Sequence, residues 1–197
     1  MLETDINKGA YTIRRLFTDH AFLIPEQRDY ELDDASILLL VGNLLVEYRE
    51  IPEETFSGGC LLAFPNDEGK MEVLDGQTLM PTYFLMLRAL DDLLGRPPEG
   101  YRFERQYFKA GSEIPRGFVT LPLTLSALQD PPAGLSSRSY ASIQHLTRAY
   151  NTMATFLKKE LPGTSGHPSL TGFRDYFLDQ VTMTFYEADG WRDVYRL

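Results

Sequence analysis

The chain has 197 residues, of which 43% are hydrophobic and 24% are charged. This composition excludes a disordered chain and suggests one domain, or one domain with part of a second. The formal net charge of −9 argues against broad attraction to nucleic acid, which requires clustered Lys and Arg. A single cysteine excludes an internal disulfide framework, and without neighbouring Cys or His ligands it also excludes a structural zinc site.

The sequence gives no sign of a membrane or secretory segment. The most apolar run, residues 36–46, is too short for a bilayer span, which takes about 20 residues. The N-terminal residues contain acids and no apolar segment, which predicts no secretory signal. We therefore expect a cytoplasmic protein without membrane contact, in which Cys60 is a packed thiol of a buried strand.

The first half of the chain alternates helical and extended patterns. The helix that covers residues 36–46 is apolar nearly all round, which is typical of helices buried on both sides or placed at an interface. In chain order, the predicted elements of this half are a helix over 10–18, a strand over 21–25, a helix from Asp33 or Asp34 to about Tyr48, a hairpin of strands over 58–64 and 70–75, and a helix over 79–94.

The second half is more helical, and its main feature is a long amphipathic helix with apolar residues at 3,4-type spacing. The predicted elements are a strand over 101–108, short apolar structure over 120–134, the long helix over 136–161, a helix over 169–180, a strand that begins at Val181 and a final helical start. This order predicts the α+β class. We expect an α/β part over residues 1–98 and a mostly helical part over 99–197.

The turn formed by Asp75, Gly76, Gln77 and Thr78 stands between a predicted strand and a predicted helix. Such a turn exposes backbone N–H groups at the helix N-terminus, where the helix dipole favours an anion. Gly76 permits close approach of a ligand, Gln77 and Thr78 can form hydrogen bonds with phosphate or ribose, and Asp75 can hold a metal or a water. An ordinary corner, in which Thr78 caps the helix and Asp75 ends the strand, explains the same residues.

Arg28 is the second candidate for ligand contact. It follows the strand predicted over 21–25, and its guanidinium fork matches a pair of phosphate oxygens. The neighbouring acids Glu26, Asp29 and Glu31 also make a surface ion pair a plausible role for it. The three histidines are far apart in sequence and lack acids or cysteines at metal-ligand spacing, so no protein metal site is predicted.

Two motifs give the chain a resemblance to a known family. The first comprises Ile24, Pro25, Gln27, Arg28 and Tyr30, and the second comprises Asp75, Gly76, Gln77 and Thr82. Together with the order of elements around them, these residues resemble the N-terminal domain of GmrSD-type restriction proteins. The resemblance is weaker over the long helix, and it extends over nearly the whole chain.

The resemblance implies a ParB/sulfiredoxin-like nucleotide-binding fold over residues 1–98. The ligand would be a nucleoside triphosphate with Mg²⁺, whose hydrolysis controls cleavage of foreign or modified DNA in antiphage defence, with DNA contacted through a partner or a further domain. The residues with implied catalytic roles are Asp75, Gln77 and Arg28. The residues implied to bind the nucleotide are Gln27, Arg28, Gly76, Gln77, Thr78 and Thr82.

The second motif departs from the family pattern at Thr78, Leu79 and Pro81, where the family has Gln, Arg and Thr. Loss of the guanidinium at Leu79 removes a charge-assisted phosphate contact, worth roughly 1.5–3 kcal/mol, which predicts impaired hydrolysis. The chain also ends about where the family's next motif would begin, which predicts a truncated member that is incomplete at its C-terminal end.

Two functions therefore stand side by side. The first is a nucleotide-binding, NTPase-type domain of a restriction or antiphage-defence protein. The second is a catalytically inactive relative that serves as an interaction or oligomerisation module through the apolar helix at residues 36–46. Whether the chain is an enzyme stays open at this point.

Overall fold

A mixed sheet and a layer of helices make up the computed structural model, which describes residues 7–25, 30–97, 100–110 and 118–188. The described strands are β1 (Asn7–Thr12), β2 (Phe22–Ile24), β3 (Phe56–Pro65), β4 (Met71–Asp75), β5 (Phe103–Phe108), β6 (Phe118–Pro122) and β7 (Val181–Glu187). The described helices are α1 (Ile13–Asp19), α2 (Asp34–Glu50), α3 (Leu79–Leu93), α4 (Leu125–Gln129), α5 (Ser137–Glu160) and α6 (Leu170–Asp179). This content confirms the predicted α+β class.

The sheet has the strand order β1–β7–β3–β4–β2–β5–β6. Strand β2 lies in the middle of a parallel group, with β4 on one side and β5 on the other. Strands β3 and β4 pair antiparallel, as the predicted hairpin requires, and β3 pairs parallel with β7. Because β2 and β4 are parallel neighbours, their carboxyl ends lie at one edge of the sheet, where open α/β sheets bind ligands.

Side-chain caps determine where several helices begin. Thr12 accepts a hydrogen bond from the Arg15 amide at 3.2 Å, so α1 begins at Ile13 and the preceding residues remain extended in β1. The helix predicted over 10–18 was therefore placed too early. Asp33, rather than Asp34, caps α2 by accepting from the Ser36 amide at 2.7 Å; this bond lowers the pKa of the Asp33 carboxyl.

The described helices pack against one face of the sheet. Phe22 stands in register with Met71 and Phe103 on this face, and the ring of Phe17 from α1 meets the ring of Phe22 edge to face. Alternate residues of β4 and β5 point the other way and are only partly buried. Cys60 lies on that second face and is exposed, because its neighbour Leu61 takes the buried position; the prediction of a packed thiol was wrong.

Strands from both sides of residue 98 lie in this one sheet. The later part of the chain contributes β5, β6 and β7, and β7 joins the sheet between β1 and β3. Buried residues of both parts belong to one continuous hydrophobic core. The division into parts over 1–98 and 99–197 stays a prediction.

A buried ion pair joins α3 to α6 inside the helical layer. The Arg174 Nε atom lies 2.6 Å from Asp91 Oδ1, and the two side chains are 2% and 3% exposed. Such a pair holds the two helices in one relative position, because either charge alone would be costly in the interior.

Candidate functional site

The predicted turn connects β4 to α3 as expected. Gly76 has φ of +89°, and a Cβ atom added to it would lie 3.1 Å from Leu61 Cδ1 and 3.2 Å from the Cys60 carbonyl oxygen. Both the positive φ and this close approach favour glycine. The chain therefore passes close to β3 before it turns into α3, and the N-terminus of α3 lies near the carboxyl end of β4.

The N-terminus of α3 has no side-chain cap. The simple-corner interpretation holds in part, because β4 ends at Asp75 and Thr78 occupies the N-cap position. Within the described part of the chain, however, the Thr78 side chain makes no capping hydrogen bond. Among the described contacts, the Asp75 side chain does not cap the helix either. Its Oδ1 accepts a hydrogen bond from the adjacent Gly76 amide at 2.9 Å. The side chain of Thr78, which is best placed to cap α3, therefore does not offset the positive end of the helix dipole.

Gln77 is almost completely buried directly before α3, with 8% of its surface exposed. Its Nε2 donates to the Val73 carbonyl at 2.9 Å, which fixes the orientation of the amide because a carbonyl can only accept. The Oε1 atom is buried and has no hydrogen-bond partner among the described residues. A primary amide has two N–H donors, so Gln77 retains one N–H donor as well as its Oε1 acceptor.

Thr82 lies in the first turn of α3 and is fully buried. Its hydroxyl donates to the Thr78 carbonyl at 2.7 Å and lies 2.8 Å from the Tyr30 hydroxyl, so Tyr30 is the donor in the second contact. Burial raises the pKa of Tyr30 to about 12, which keeps that hydroxyl protonated. Thr82 therefore supports the turn from inside, and its described contacts are with the protein.

Tyr30 brings the two motifs together. It closes the first motif and contacts Thr82, the last residue of the second, while His145 of α5 donates from Nδ1 to the Tyr30 carbonyl at 2.8 Å. Ile24, at the end of β2, is fully buried. Gln27 and Arg28, the predicted phosphate ligands of the first motif, lie outside the described residues.

Sequence reasoning missed a glycine pair that lies against the N-terminus of α3. The register of β3 shifts between Ser57 and Cys60, and Gly59 at this bulge has φ of +110°, with an added Cβ 3.0 Å from Leu79 Cδ2. Tyr83 of α3 donates to the Gly58 carbonyl at 2.9 Å. A pair of glycines inside an apolar strand is the signal for such a bulge, and it could have been used.

Arg105 is a second residue that the sequence did not single out. It is 1% exposed on the helical side of β5, and its positive charge acts to lower the pKa of Tyr30 against the larger effect of burial. The alternating pattern of β5 indicates that residue 105 points inward, so this buried cation was predictable. Arg105 therefore places a positive charge close to Tyr30, the last residue of the first motif.

The site contains one carboxylate suited to a phosphate-bound cation. Among the described residues, no group of three or more His, Cys, Asp or Glu side chains could hold a metal ion. Mg²⁺ that accompanies phosphates needs only one or two protein carboxylates, and the exposed Asp75 at the turn fits that requirement. Asp75, the uncapped N-terminus of α3 and Gly76 thus form a set that matches a phosphate group with its cation.

A search of protein families finds no match for the chain, and a search of curated proteins finds no significant relative. The resemblance to GmrSD-type proteins therefore rests on the two motifs and on the order of elements around them. Within the ranges that the structure describes, no helix has the length and apolar character needed to cross a membrane.

Proposed function

We propose that the chain binds a nucleoside triphosphate through its phosphates at the junction of β4 and α3. The observation that carries this proposal is the N-terminus of α3, where the N-cap residue Thr78 makes no capping hydrogen bond within the described residues and the preceding turn contains a glycine with positive φ. It lies beyond β4, which is a parallel neighbour of β2. A helix N-terminus in this position favours an anion through its N–H groups and its dipole.

Each predicted residue has a distinct role in this proposal. The backbone N–H groups at the start of α3 bind a phosphate, and Gly76 lets the phosphate approach the backbone. The exposed Asp75 would hold Mg²⁺, which would neutralise phosphate charge. The amide of Gln77 forms a hydrogen bond with phosphate or ribose, while Gln27 and Arg28 act as the predicted side-chain donors to phosphate.

Hydrolysis by this site is expected to be slow. Leu79 occupies the position where the family that the chain resembles has an arginine, and its side chain packs near Gly59. An apolar side chain supplies no positive charge to phosphate oxygens during the reaction. We therefore propose a nucleotide-binding component of a cytoplasmic restriction or antiphage-defence system, with DNA contacted by a partner or a further domain.

Thermal unfolding in the presence of ATP, GTP, CTP or UTP, each with Mg²⁺, tests nucleotide binding. Ligand that binds only the folded state raises the unfolding temperature, so one nucleotide should stabilise the wild type. Arg28→Ala should remove this stabilisation. Arg15→Ala is the matched control, because Arg15 is an exposed arginine on α1 that pairs with Asp19, and it should keep the full effect.

A reverse substitution gives the test a gain-of-function arm. Leu79→Arg restores the arginine of the family pattern and should increase the nucleotide-dependent shift. If none of the four nucleotides stabilises the wild type, and Leu79→Arg creates no response, the proposed site does not bind nucleotide. If a shift occurs equally in wild type and Arg28→Ala, binding takes place without the predicted phosphate ligand.

A second candidate function is an inactive relative that works as an interaction module. Leu79 and the exposed apolar residues of α2 favour it, since neither is explained by nucleotide binding. The two candidates involve different elements, so the nucleotide titration and measurements of association distinguish them.

A further inference from the structure

Helix α2 carries the exposed apolar surface of the described chain. Four large hydrophobic residues are more than a third exposed across the described ranges, namely Leu38, Leu39, Val46 and Ile51. Three of them lie in α2, and Ile51 is its C-cap. Leu39 and Val46 are 65% and 48% exposed, and their seven-residue spacing places them on one face of the helix.

Gly42 lies between Leu39 and Val46 on this outer face. A Cβ atom added to Gly42 would have no heavy atom within 4 Å, so packing inside the chain does not require glycine there. Glycine in a helix interior costs about 1 kcal/mol relative to alanine. The open space beside Gly42 leaves room for a close approach by another chain.

A groove runs beside this apolar face, between α2 and α5. Its volume is about 390 Å³, and it is lined by Leu38, Asn151, Thr152, Thr155, Phe156 and Lys159. The two helices run in the same direction, because Asp34 pairs with Arg148 at one end and Arg49 pairs with Glu160 at the other. A projecting side chain, Leu39, and a groove of apolar character thus lie side by side on one surface.

Opposite charges lie at the same end of this helix pair. Glu50, Glu53 and Glu54 are exposed at the end of α2 and in the turn after it, while Lys158 and Lys159 are exposed at the end of α5. The Arg49–Glu160 contact shows that the two ends are adjacent. Because Arg49 and Glu160 pair with each other, the remaining exposed charges named at this end are acidic on the α2 side and basic on α5.

We propose that this surface is the interface of a two-fold symmetric dimer of the chain. In the dimer, α2 of each copy lies against α5 of the other, and Leu39 enters the groove of the second copy. A two-fold axis parallel to the helices and between them preserves their direction. It therefore brings the glutamates at the end of α2 next to Lys158 and Lys159 of the second copy.

A second copy suits this surface better than an unrelated partner because the surface is complementary to itself. A two-fold interface uses the same surface patch on both subunits. That patch must therefore contain both a projecting side chain and the groove that receives it, and both members of each pair of opposite charges. The α2–α5 surface contains both pairs. Burial of Leu39 and Val46 would supply affinity, and the charges would select the orientation.

Light scattering after size-exclusion chromatography tests the proposal over a series of protein concentrations. The wild type should approach twice the monomer mass of 22.5 kDa as concentration rises. Leu39→Asp should weaken dimerisation by about tenfold or more, because a carboxylate would be buried in the groove. Thr120→Asp, an exposed residue of the edge strand β6, is the control and should dimerise like the wild type. Circular dichroism verifies that both variants remain folded.

Mixing two charge variants tests the arrangement itself. Glu50→Lys with Glu53→Lys, and Lys158→Glu with Lys159→Glu, should each be largely monomeric alone, because like charges would meet across both α2–α5 contacts. Mixed in equal amounts they should form a heterodimer, since both contacts then join opposite charges. Wild type that stays monomeric at every concentration overturns the dimer and assigns the surface to another protein. Dimerisation without rescue by mixing overturns the pairing of α2 with α5.

Discussion

Replacing Arg174 with methionine should lower the free energy of unfolding by about 3–5 kcal/mol, the usual effect of breaking a buried ion pair by removing one member. The Arg174 Nε atom lies 2.6 Å from Asp91 Oδ1, and neither side chain is more than 3% exposed. Methionine keeps most of the packing volume but removes the charge. The loss therefore comes mainly from the Asp91 carboxylate, which stays buried on α3.

An exposed ion pair provides the control for this loss of stability. Arg15 pairs with Asp19 at 3.2 Å, but their side chains are 59% and 44% exposed. Solvent-exposed pairs of this kind contribute less than about 1 kcal/mol. Arg15→Met should therefore change the free energy of unfolding far less than Arg174→Met, although the chemical change is identical.

Urea unfolding followed by circular dichroism at neutral pH measures both variants. The double variant Asp91→Leu with Arg174→Met should recover part of the loss, because it removes both buried charges instead of one. A loss for Arg174→Met as small as that for Arg15→Met would refute the reasoning. So would a double variant that is no more stable than Arg174→Met.

Three further predictions concern the turn and the helices around it. Gly76→Ala should destabilise the protein by roughly 1–2 kcal/mol because of the φ of +89°, seen as a lower unfolding temperature; an unchanged temperature would contradict the strained turn. Thr82→Val should cost about 1–3 kcal/mol in urea unfolding, since it removes the hydroxyl that accepts from Tyr30, and a neutral effect would show that this bond is unimportant. The hydrogen bond from Arg14 holds the pKa of Asp179 below its usual value, so its stabilisation is present above the ordinary aspartate pKa of about 3.9 and is lost as pH falls through the lowered pKa. Asp179→Asn should accordingly reduce stability near neutral pH and have no effect in acid, and a pH-independent loss would exclude this linkage.

Local patterns predicted the longer helices and most strands, because these depend on residues close in sequence. Helix α4 was missed, since the segment over 120–134 was predicted only as short apolar structure. The long helix over 136–161 matches α5 within one residue at each end, since its apolar stripe and the Ser136 cap are both local features. Strand β1 was not predicted because its partner β7 lies far along the chain. The burial of α2 could not be predicted for a similar reason. Its sequence shows apolar residues on all sides of the helix, but it does not show which of these residues other elements of the fold will cover.

The candidate site was located from sequence only in part. The turn at Asp75 and Gly76 is a local feature, and the structure places it before α3 as expected. The contact of Tyr30 with Thr82 joins residues that are 52 positions apart, so local spacing could not show it. The engagement of the Gln77 amide with Val73 likewise depends on how the turn folds back onto β4, whereas the sequence predicted only that Gln77 can form hydrogen bonds with phosphate or ribose.

Hydrogen–deuterium exchange of the full chain, with and without nucleoside triphosphate and Mg²⁺, tests the central claim most directly. Binding of phosphate at the start of α3 should slow exchange of the amides of Gln77, Thr78 and Leu79, because their N–H groups would then have an acceptor. Arg28→Ala should weaken this protection. Unchanged exchange at these three amides at saturating nucleotide would contradict a phosphate site at the N-terminus of α3.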